Sequence, residues 1–226
     1  MTSHNSEKQA PTSAQVAQHI VEICQRLHGR NMLAAADGNI SVRISDDEIL
    51  ITPSGIAKGF MKAEDMAVIN LKGEVLKGKP STERLMHLEI FRSSPKARAI
   101  VHAHPPTAIA WSIARPELKK LPSECLSEVI LATGDVPFVP YARPGTEQMG
   151  EVLKPFLPQH RALILRCHGA VAWGEDLEEA YRGMERIEHS SQILATAEKL
   201  GGLHPLPAEE IKYLYELRAK IGDVLL

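Results

Sequence analysis

Apolar residues recur along this chain with two different periods, and the switches between them lay out its elements. Val16, Ile20, Ile23, Cys24 and Leu27 stand three and four apart, the stripe of an amphipathic helix. Ser13 is placed to cap that helix and Gly29 to end it. The period then drops to two. Ile40, Val42 and Ile44 alternate with Ser41 and Arg43, Ser45-Asp46-Asp47 makes a polar turn, and Glu48 to Thr52 returns as a second strand. Met66 to Leu71 and Glu74 to Leu76, either side of Lys72-Gly73, read as another hairpin. Helical spacing comes back at Leu85, Leu88 and Phe91, with Ser81 or Thr82 as the N-cap. Arg98 to His104 is a strand ended by Pro105-Pro106, which open a helix whose Ala108, Trp111 and Ile113 should face the sheet.

Farther on, Leu118 to Cys125 reads as a loop or short helix and Asp135 to Pro140 as a strand. Thr146 is placed to cap a helix running to about Phe156. Ala162 to Arg166 and Ala170 to Trp173 are strand-like. Leu177 to Leu200 is a long helix closed by Gly201-Gly202, and Ala208 to Gly222 a last amphipathic one. Hairpins mixed with helices predict an α/β chain whose sheet is not purely parallel. No repeat or linker divides residues 13–226, which are expected to form one domain behind a polar, disordered tail over 1–12.

Composition narrows the function classes. A net charge of −2 and 4% aromatic residues argue against a nucleic-acid surface. Three widely spaced cysteines offer no disulfide framework and suit a reducing compartment. No apolar run is long enough to span a membrane and the first residues lack a signal core, so a cytoplasmic protein is expected.

The densest chemistry lies in Val101-His102-Ala103-His104-Pro105. On a strand, His102 and His104 point the same way, about 6–7 Å apart, and can share one metal ion. His168, before Gly169, ends another apolar run. Three neutral imidazoles with an open position are the ligand set of a catalytic zinc rather than a structural one; the plain alternative is hydrogen-bonded core histidines. Cys167, if it shares a strand with His168, faces the other way and packs. Gly38-Asn39 and Thr52-Pro53-Ser54-Gly55 sit at the two ends that antiparallel pairing brings together. They suit a phosphate, or are two ordinary turns. Glu83, at the start of a helix, either complements the helix dipole or acts as an acid/base. Tyr141 either donates a phenolic proton or packs. His87 and His189 read as ordinary helix residues.

In this order, Gly38-Asn39-Ile40-Ser41, Thr52-Pro53-Ser54-Gly55, Ser81-Thr82-Glu83, His102-Ala103-His104-Pro105, Pro140-Tyr141-Ala142 with Gly145-Thr146, and His168-Gly169 resemble the class II aldolase/adducin-head family from about Val16 to Glu198. The resemblance implies a three-layer α/β/α fold around a mixed, largely antiparallel sheet, and a homotetramer with sites between subunits. It implies Zn²⁺, or Mn²⁺ or Co²⁺, on His102, His104 and His168, and Glu83 as acid/base that also reaches the resting metal. Asn39, Ser54, Gly55, Ser81 and Thr82 would hold a substrate phosphate, and Tyr141 would serve the aldehyde oxygen. The implied activity is cleavage of a ketose 1-phosphate to dihydroxyacetone phosphate and an aldehyde, with burial raising the Glu83 pKa towards the working pH. A methylthioribulose-phosphate dehydratase, a decarboxylase of sugar-acid phosphates and a non-catalytic adducin-head-like module are the alternatives. The chain departs from the aldolases at Ile221-Gly222, where those enzymes carry a tyrosine before the glycine.

Overall fold

A computed structural model describes residues 11–226. The tail expected over 1–12 lies outside the described residues as far as residue 10; Thr12, one place before the expected cap, closes a capping box with Gln15 at the start of α1 (Ser13–Gly29).

Eight strands form one sheet: β1 (Asn39–Arg43), β2 (Glu48–Ile51), β3 (Ala67–Asn70), β4 (Val75–Lys77), β5 (Ala99–Ala103), β6 (Phe138–Val139), β7 (Ala162–Leu165) and β8 (Gly169–Gly174). Their spatial order is β4-β3-β2-β1-β5-β8-β7-β6. Every neighbouring pair is antiparallel except β6 and β7. The alternation of side chains across the pleat assigns two cores. Ile40, Val101, Ala103, Ala170 and Ala172 pack under α1, α3 (Pro106–Ala114) and α6 (Leu177–Leu200). Ile49, Ile51, Ile100, Leu163 and Val171 pack on the other face under α2 (Arg84–Ser93) and α5 (Gln148–Glu151). The result is the expected three-layer α/β/α sandwich. Near the C-terminus, α7 (Ala208–Ile221) packs on α4 (Ser127–Ala132). Among the described residues no helix is long and apolar enough to cross a membrane.

Several expected elements are shorter than the pattern predicts. Only Phe138 and Val139 of the expected Asp135–Pro140 strand join the ladder, because Pro137 and Pro140 on either side have no N–H to give. The helix expected from Thr146 stops at Glu151 and resumes only as a 3₁₀ turn over Lys154–Phe156, since Pro155 interrupts it. Thr146 does not cap it; its hydroxyl donates to the Arg143 carbonyl. Ile113 is 60% exposed rather than packed on the sheet.

The antiparallel β5–β8 pairing sets Ala103 opposite Ala170 and His102 opposite Val171. That register brings the end of the His-x-His strand beside the β7–β8 turn, which carries His168. The far end of that hairpin is anchored by Arg161. Its side chain is 1% exposed, lies over the Trp173 ring at 4.5 Å, and pairs with Glu179 at 2.8 Å. Removing one partner of a buried pair leaves the other charge uncompensated. Arg161→Met is therefore expected to cost about 3–5 kcal/mol in a urea melt; a loss below about 1 kcal/mol would show that the hairpin does not depend on it.

Candidate metal centre and acid/base site

His102 lies at the end of β5 with its side chain fully buried on the α2 face. Its Nδ1–H donates to the Ala170 carbonyl at 2.8 Å, which leaves the lone pair on Nε2. His104 follows just past the strand, its Nδ1 3.4 Å from Asp37 Oδ2. A carboxylate on one imidazole nitrogen turns the other towards a metal. His168 completes a triangle whose ring centroids are 5.0–5.1 Å apart. One nitrogen from each ring lies within 4.8 Å of the other two.

Two glycines let these parts meet. A Cβ on Gly169 would lie 2.6 Å from the Ala103 carbonyl and 2.9 Å from both His102 Cε1 and His104 Cδ2. Gly38 has φ +70°, and a Cβ there would lie 2.9 Å from the His102 carbonyl.

Glu83 is neither in the first turn of α2 nor behind a Ser81 or Thr82 cap. It is itself the N-cap residue, with φ −87° and ψ 11°, and its N–H donates to Ser81 Oγ at 3.2 Å. From there its carboxylate turns away from the helix end to lie 3.3 Å from His102 Nε2 and 3.2 Å from His168 Nε2. Those approaches miss hydrogen-bond geometry. Glu83 Oε1, His102 Nε2 and His104 Nε2 are buried polar atoms without a hydrogen-bond partner among the described residues. Each such atom costs roughly 1–3 kcal/mol, more for a charged one. A divalent cation shared by the three lone pairs and the carboxylate would satisfy all of them, so the donor set fits a metal ion.

The pKa of Glu83 runs opposite to expectation. Burial alone pushes the carboxyl up, as the sequence reading supposes. The imidazoles of His102 and His168 outweigh burial and hold it well below the ordinary carboxylate range. His104 is lowered to about 4, by burial first and by the neighbouring imidazoles second, so its lone pair is free at neutral pH.

Cys167 corrects another reading. It is not in a strand with His168; it is exposed in the β7–β8 turn at φ +55°, its N–H on Ser112 Oγ at 3.0 Å. Arg166 holds the same turn through its bonds to the Ser112 and Leu118 carbonyls.

The expected anion-binding segments converge. Pro53 bridges Pro80, Ser54 N–H donates to the Lys79 carbonyl at 2.9 Å, and Ser81 N–H donates to the Thr52 carbonyl at 3.1 Å. Gly55, at φ +78°, has open space where a Cβ would stand. A Cβ on Gly145 would lie 3.7 Å from Thr82 Cβ. Lys58, which the sequence reading passed over, is buried and donates from Nζ to the Ala36 and Ile56 carbonyls, tying the loop before Gly38 to the loop after Gly55. Asn39 is placed differently from the other members of this set. Its Nδ2 donates to Glu83 Oε2 at 2.7 Å and its Oδ1 faces His87, leaving one amide hydrogen for an anion.

His87 is no ordinary helix residue. It is fully buried, and burial together with the His102 charge lowers its pKa to about 3. The unfolded value is near 6.5, so between these values the unfolded chain binds the extra proton. Stability from this group is complete above about pH 6.5 and is lost as pH falls towards 3. Unfolding free energies from urea melts of metal-free protein should fall over that window by up to about 1.4 kcal/mol per pH unit for this one group. His87→Gln should flatten that part of the slope; an unaltered slope would exclude His87 as its source.

The model of the class II aldolase and adducin N-terminal domain matches residues 18–195. The chain belongs to this family. Among curated members, it is 31% identical over 191 residues to 3-oxo-tetronate 4-phosphate decarboxylase of Escherichia coli K12, covering 82% of this chain and 88% of the relative. It is 34% identical over 173 residues to L-fuculose phosphate aldolase of Methanococcus vannielii, covering 76% and 92%. Of solved structures, YgbL from Klebsiella pneumoniae superposes with a TM-score of 0.84 at 31% identity, over 91% of this chain and 100% of the other. The L-fuculose-1-phosphate aldolase from Thermus thermophilus gives 0.73 at 32% identity, over 86% and 99%.

Among the described residues no tyrosine hydroxyl is hydrogen-bonded to His102, His104, His168 or Glu83. Tyr141 is 56% exposed and among the described residues its hydroxyl has no hydrogen bond. Tyr215 donates to Asp135 at 2.5 Å, and Tyr213 is 57% exposed. Ile221, near the position at which the resemblance to the aldolases implies a tyrosine, ends α7 and is 41% exposed.

Proposed function

We propose that this chain is a divalent-metal lyase, with Zn²⁺ on His102, His104 and His168, that breaks a carbon–carbon bond in a sugar phosphate and releases dihydroxyacetone phosphate. The observation that carries this reading is the buried triangle of imidazole lone pairs with the Glu83 carboxylate 3.2–3.3 Å from two of them. A divalent ion there supplies Lewis acidity at the substrate ketone and adjacent hydroxyl.

The residues then divide the work. The N–H groups of Gly55 and Thr82 and the hydroxyls of Ser54, Ser81 and Thr82, with the remaining amide hydrogen of Asn39, hold the phosphate. Glu83 is ionised at neutral pH. In the condensation direction it takes a proton from the hydroxymethyl carbon of dihydroxyacetone phosphate, and in cleavage it returns that proton to the same carbon. With a ketose 1-phosphate the second product is an aldehyde; cleavage removes a proton from the hydroxyl that becomes its oxygen and condensation returns it, and Tyr141, from a neighbouring subunit of a homotetramer, is the candidate carrier.

One observation favours a second substrate class. Ile221 cannot carry a proton to or from an aldehyde oxygen, and a 3-oxo-tetronate 4-phosphate needs no such carrier. Loss of its carboxylate as CO₂ leaves the electron pair on the carbon beside the ketone, and a proton taken from water and passed through Glu83 to that carbon gives the same dihydroxyacetone phosphate. Both reactions use the same carbon and the same acid/base.

The test is a panel of ketose 1-phosphates and 3-oxo-acid phosphates, assayed with Zn²⁺, Mn²⁺ and Co²⁺. Dihydroxyacetone phosphate is read first, then aldehyde against CO₂. Aldehyde supports the aldolase and CO₂ the decarboxylase. Water released with one intact carbon chain would support the dehydratase, and no turnover on a metal-loaded protein would favour the non-catalytic module.

A further inference from the structure

Three hydrogen bonds run in series from the sheet to the acid/base. Ser41 Oγ, on β1, lies 2.6 Å from His87 Nδ1; His87 Nε2, on α2, lies 2.5 Å from Asn39 Oδ1; Asn39 Nδ2 lies 2.7 Å from Glu83 Oε2. We propose that His87 is a positioning residue: through Asn39 it fixes the Glu83 carboxylate so that Oε2 is anchored and Oε1 is left facing the reacting atoms. This inference rests on the lyase reading only for the identity of those atoms.

Each link determines the next. An ionised carboxylate only accepts, so Asn39 must present its NH₂ to Glu83 and its single carbonyl to His87. That carbonyl only accepts, so Nε2 of His87 must carry the ring proton. Nδ1 then holds the lone pair, and the Ser41 hydroxyl donates to it. The arrangement needs a neutral ring with one N–H, which the fully buried imidazole supplies. Were His87 doubly protonated, Nδ1 could not accept from Ser41. Were it replaced by an apolar side chain, Asn39 Oδ1 would lose the His87 donor and the amide would be free to turn over. It would then present an acceptor to a carboxylate.

The anchored geometry also explains the two Glu83 oxygens. Oε2 has a hydrogen bond and Oε1 has none. Glu83 and His87 are four residues apart on one helix and so share a face. The same α2 start thus sets both the carboxylate and its brace. Packing alone would not require two polar bonds to a buried ring, because an apolar residue of like size fills the space without them.

His87→Leu, His87→Gln and Ser41→Ala test this, with the metal-free wild type labelled with ¹⁵N at histidine. The spectrum of the wild type should show one histidine fixed as the Nε2–H tautomer and neutral down to about pH 4, and this signal should vanish in His87→Gln. In Ser41→Ala the Nε2–H tautomer should persist, because the Asn39 carbonyl fixes it. An Nδ1–H tautomer at His87 would overturn the inference, whatever the enzyme's substrate. In turnover, His87→Leu should keep its metal and its KM within about threefold while kcat falls about 10–100-fold, the range typical of losing such a supporting partner. His87→Gln, whose amide can donate to Asn39 and accept from Ser41, should recover kcat to within about fivefold. A folded, metal-loaded His87→Leu with near-normal kcat, or no recovery in His87→Gln, would reduce His87 to a packing residue. If His87→Leu does not fold, Ser41→Ala decides the turnover arm: a drop in kcat with unchanged KM supports the relay, and none overturns it. A wild type inactive on every substrate of the panel would sink the lyase reading and leave the tautomer to decide this one.

Discussion

His102→Ala is expected to abolish metal binding, and activity with it. The ring is fully buried and its tautomer is set by the Ala170 carbonyl, so its Nε2 is a pre-aimed ligand rather than a mobile one. Losing an outer partner of a metal ligand typically costs about 10–100-fold in metal affinity or activity; losing the ligand itself should cost more. The two histidines that remain differ in support, since His104 rests against Asp37 and His168 stands on a turn held by Arg166 and Ser112. Neither can move to replace a nitrogen lost from the β5 face, because β5 is buried along its whole length between β1 and β8. Alanine removes a ring from that face, and the cavity should lower stability without unfolding the sheet. Metal measured by atomic spectrometry on folded variant should therefore fall from about one ion per chain to a small fraction of one. A variant that retains a full complement would mean that the three imidazoles are not the ligands.

The metal candidates were legible in the sequence because their signal is local. Two histidines at period two on an apolar strand, then a histidine before a glycine at the end of another, can be read without knowing the fold. What is not local is the register that joins them. Ala103 opposite Ala170 follows from strand order in the finished sheet. His87 was misread for the same reason. Its partners Asn39 and Ser41 lie 48 and 46 residues away, on a strand that only tertiary packing brings under α2. On the helix pattern alone, a histidine one turn after Glu83 has no feature to set it apart. Cys167 failed through a false premise. Its assignment assumed an unbroken strand, whereas Arg166-Cys167-His168 is a tight turn with Cys167 in the left-handed region. The sequence leads one to expect burial at Glu83 but does not show that the His102 and His168 imidazoles face it, since their distances are a property of the fold.

Glu83→Gln should separate the two roles that the sequence left open for this residue. A first-turn carboxylate that only complements the helix dipole contributes about 0.3–1 kcal/mol of stability and nothing to chemistry. A general acid/base contributes about 10²–10⁴ in rate. The structure already weakens the first role, since Glu83 stands at the N-cap and its carboxylate is turned to His102 and His168 instead of the helix N–H groups. Glutamine is close to isosteric. Its carbonyl can still accept from Asn39 Nδ2, so the brace from His87 stays in place while the proton-accepting oxygen is lost. The variant should be folded, with kcat lowered at least about 100-fold and KM little changed, because phosphate binding does not pass through this carboxylate. Metal must be measured in the same sample, since the wild-type carboxylate approaches the ligand nitrogens closely enough to share the ion. Loss of rate with metal retained assigns Glu83 to proton transfer, and loss of rate with loss of metal assigns it to the ligand set. Near-normal turnover by a metal-loaded variant would leave the proton at the carbon beside the ketone without a carrier in this chain, and the proposed chemistry would fall with it.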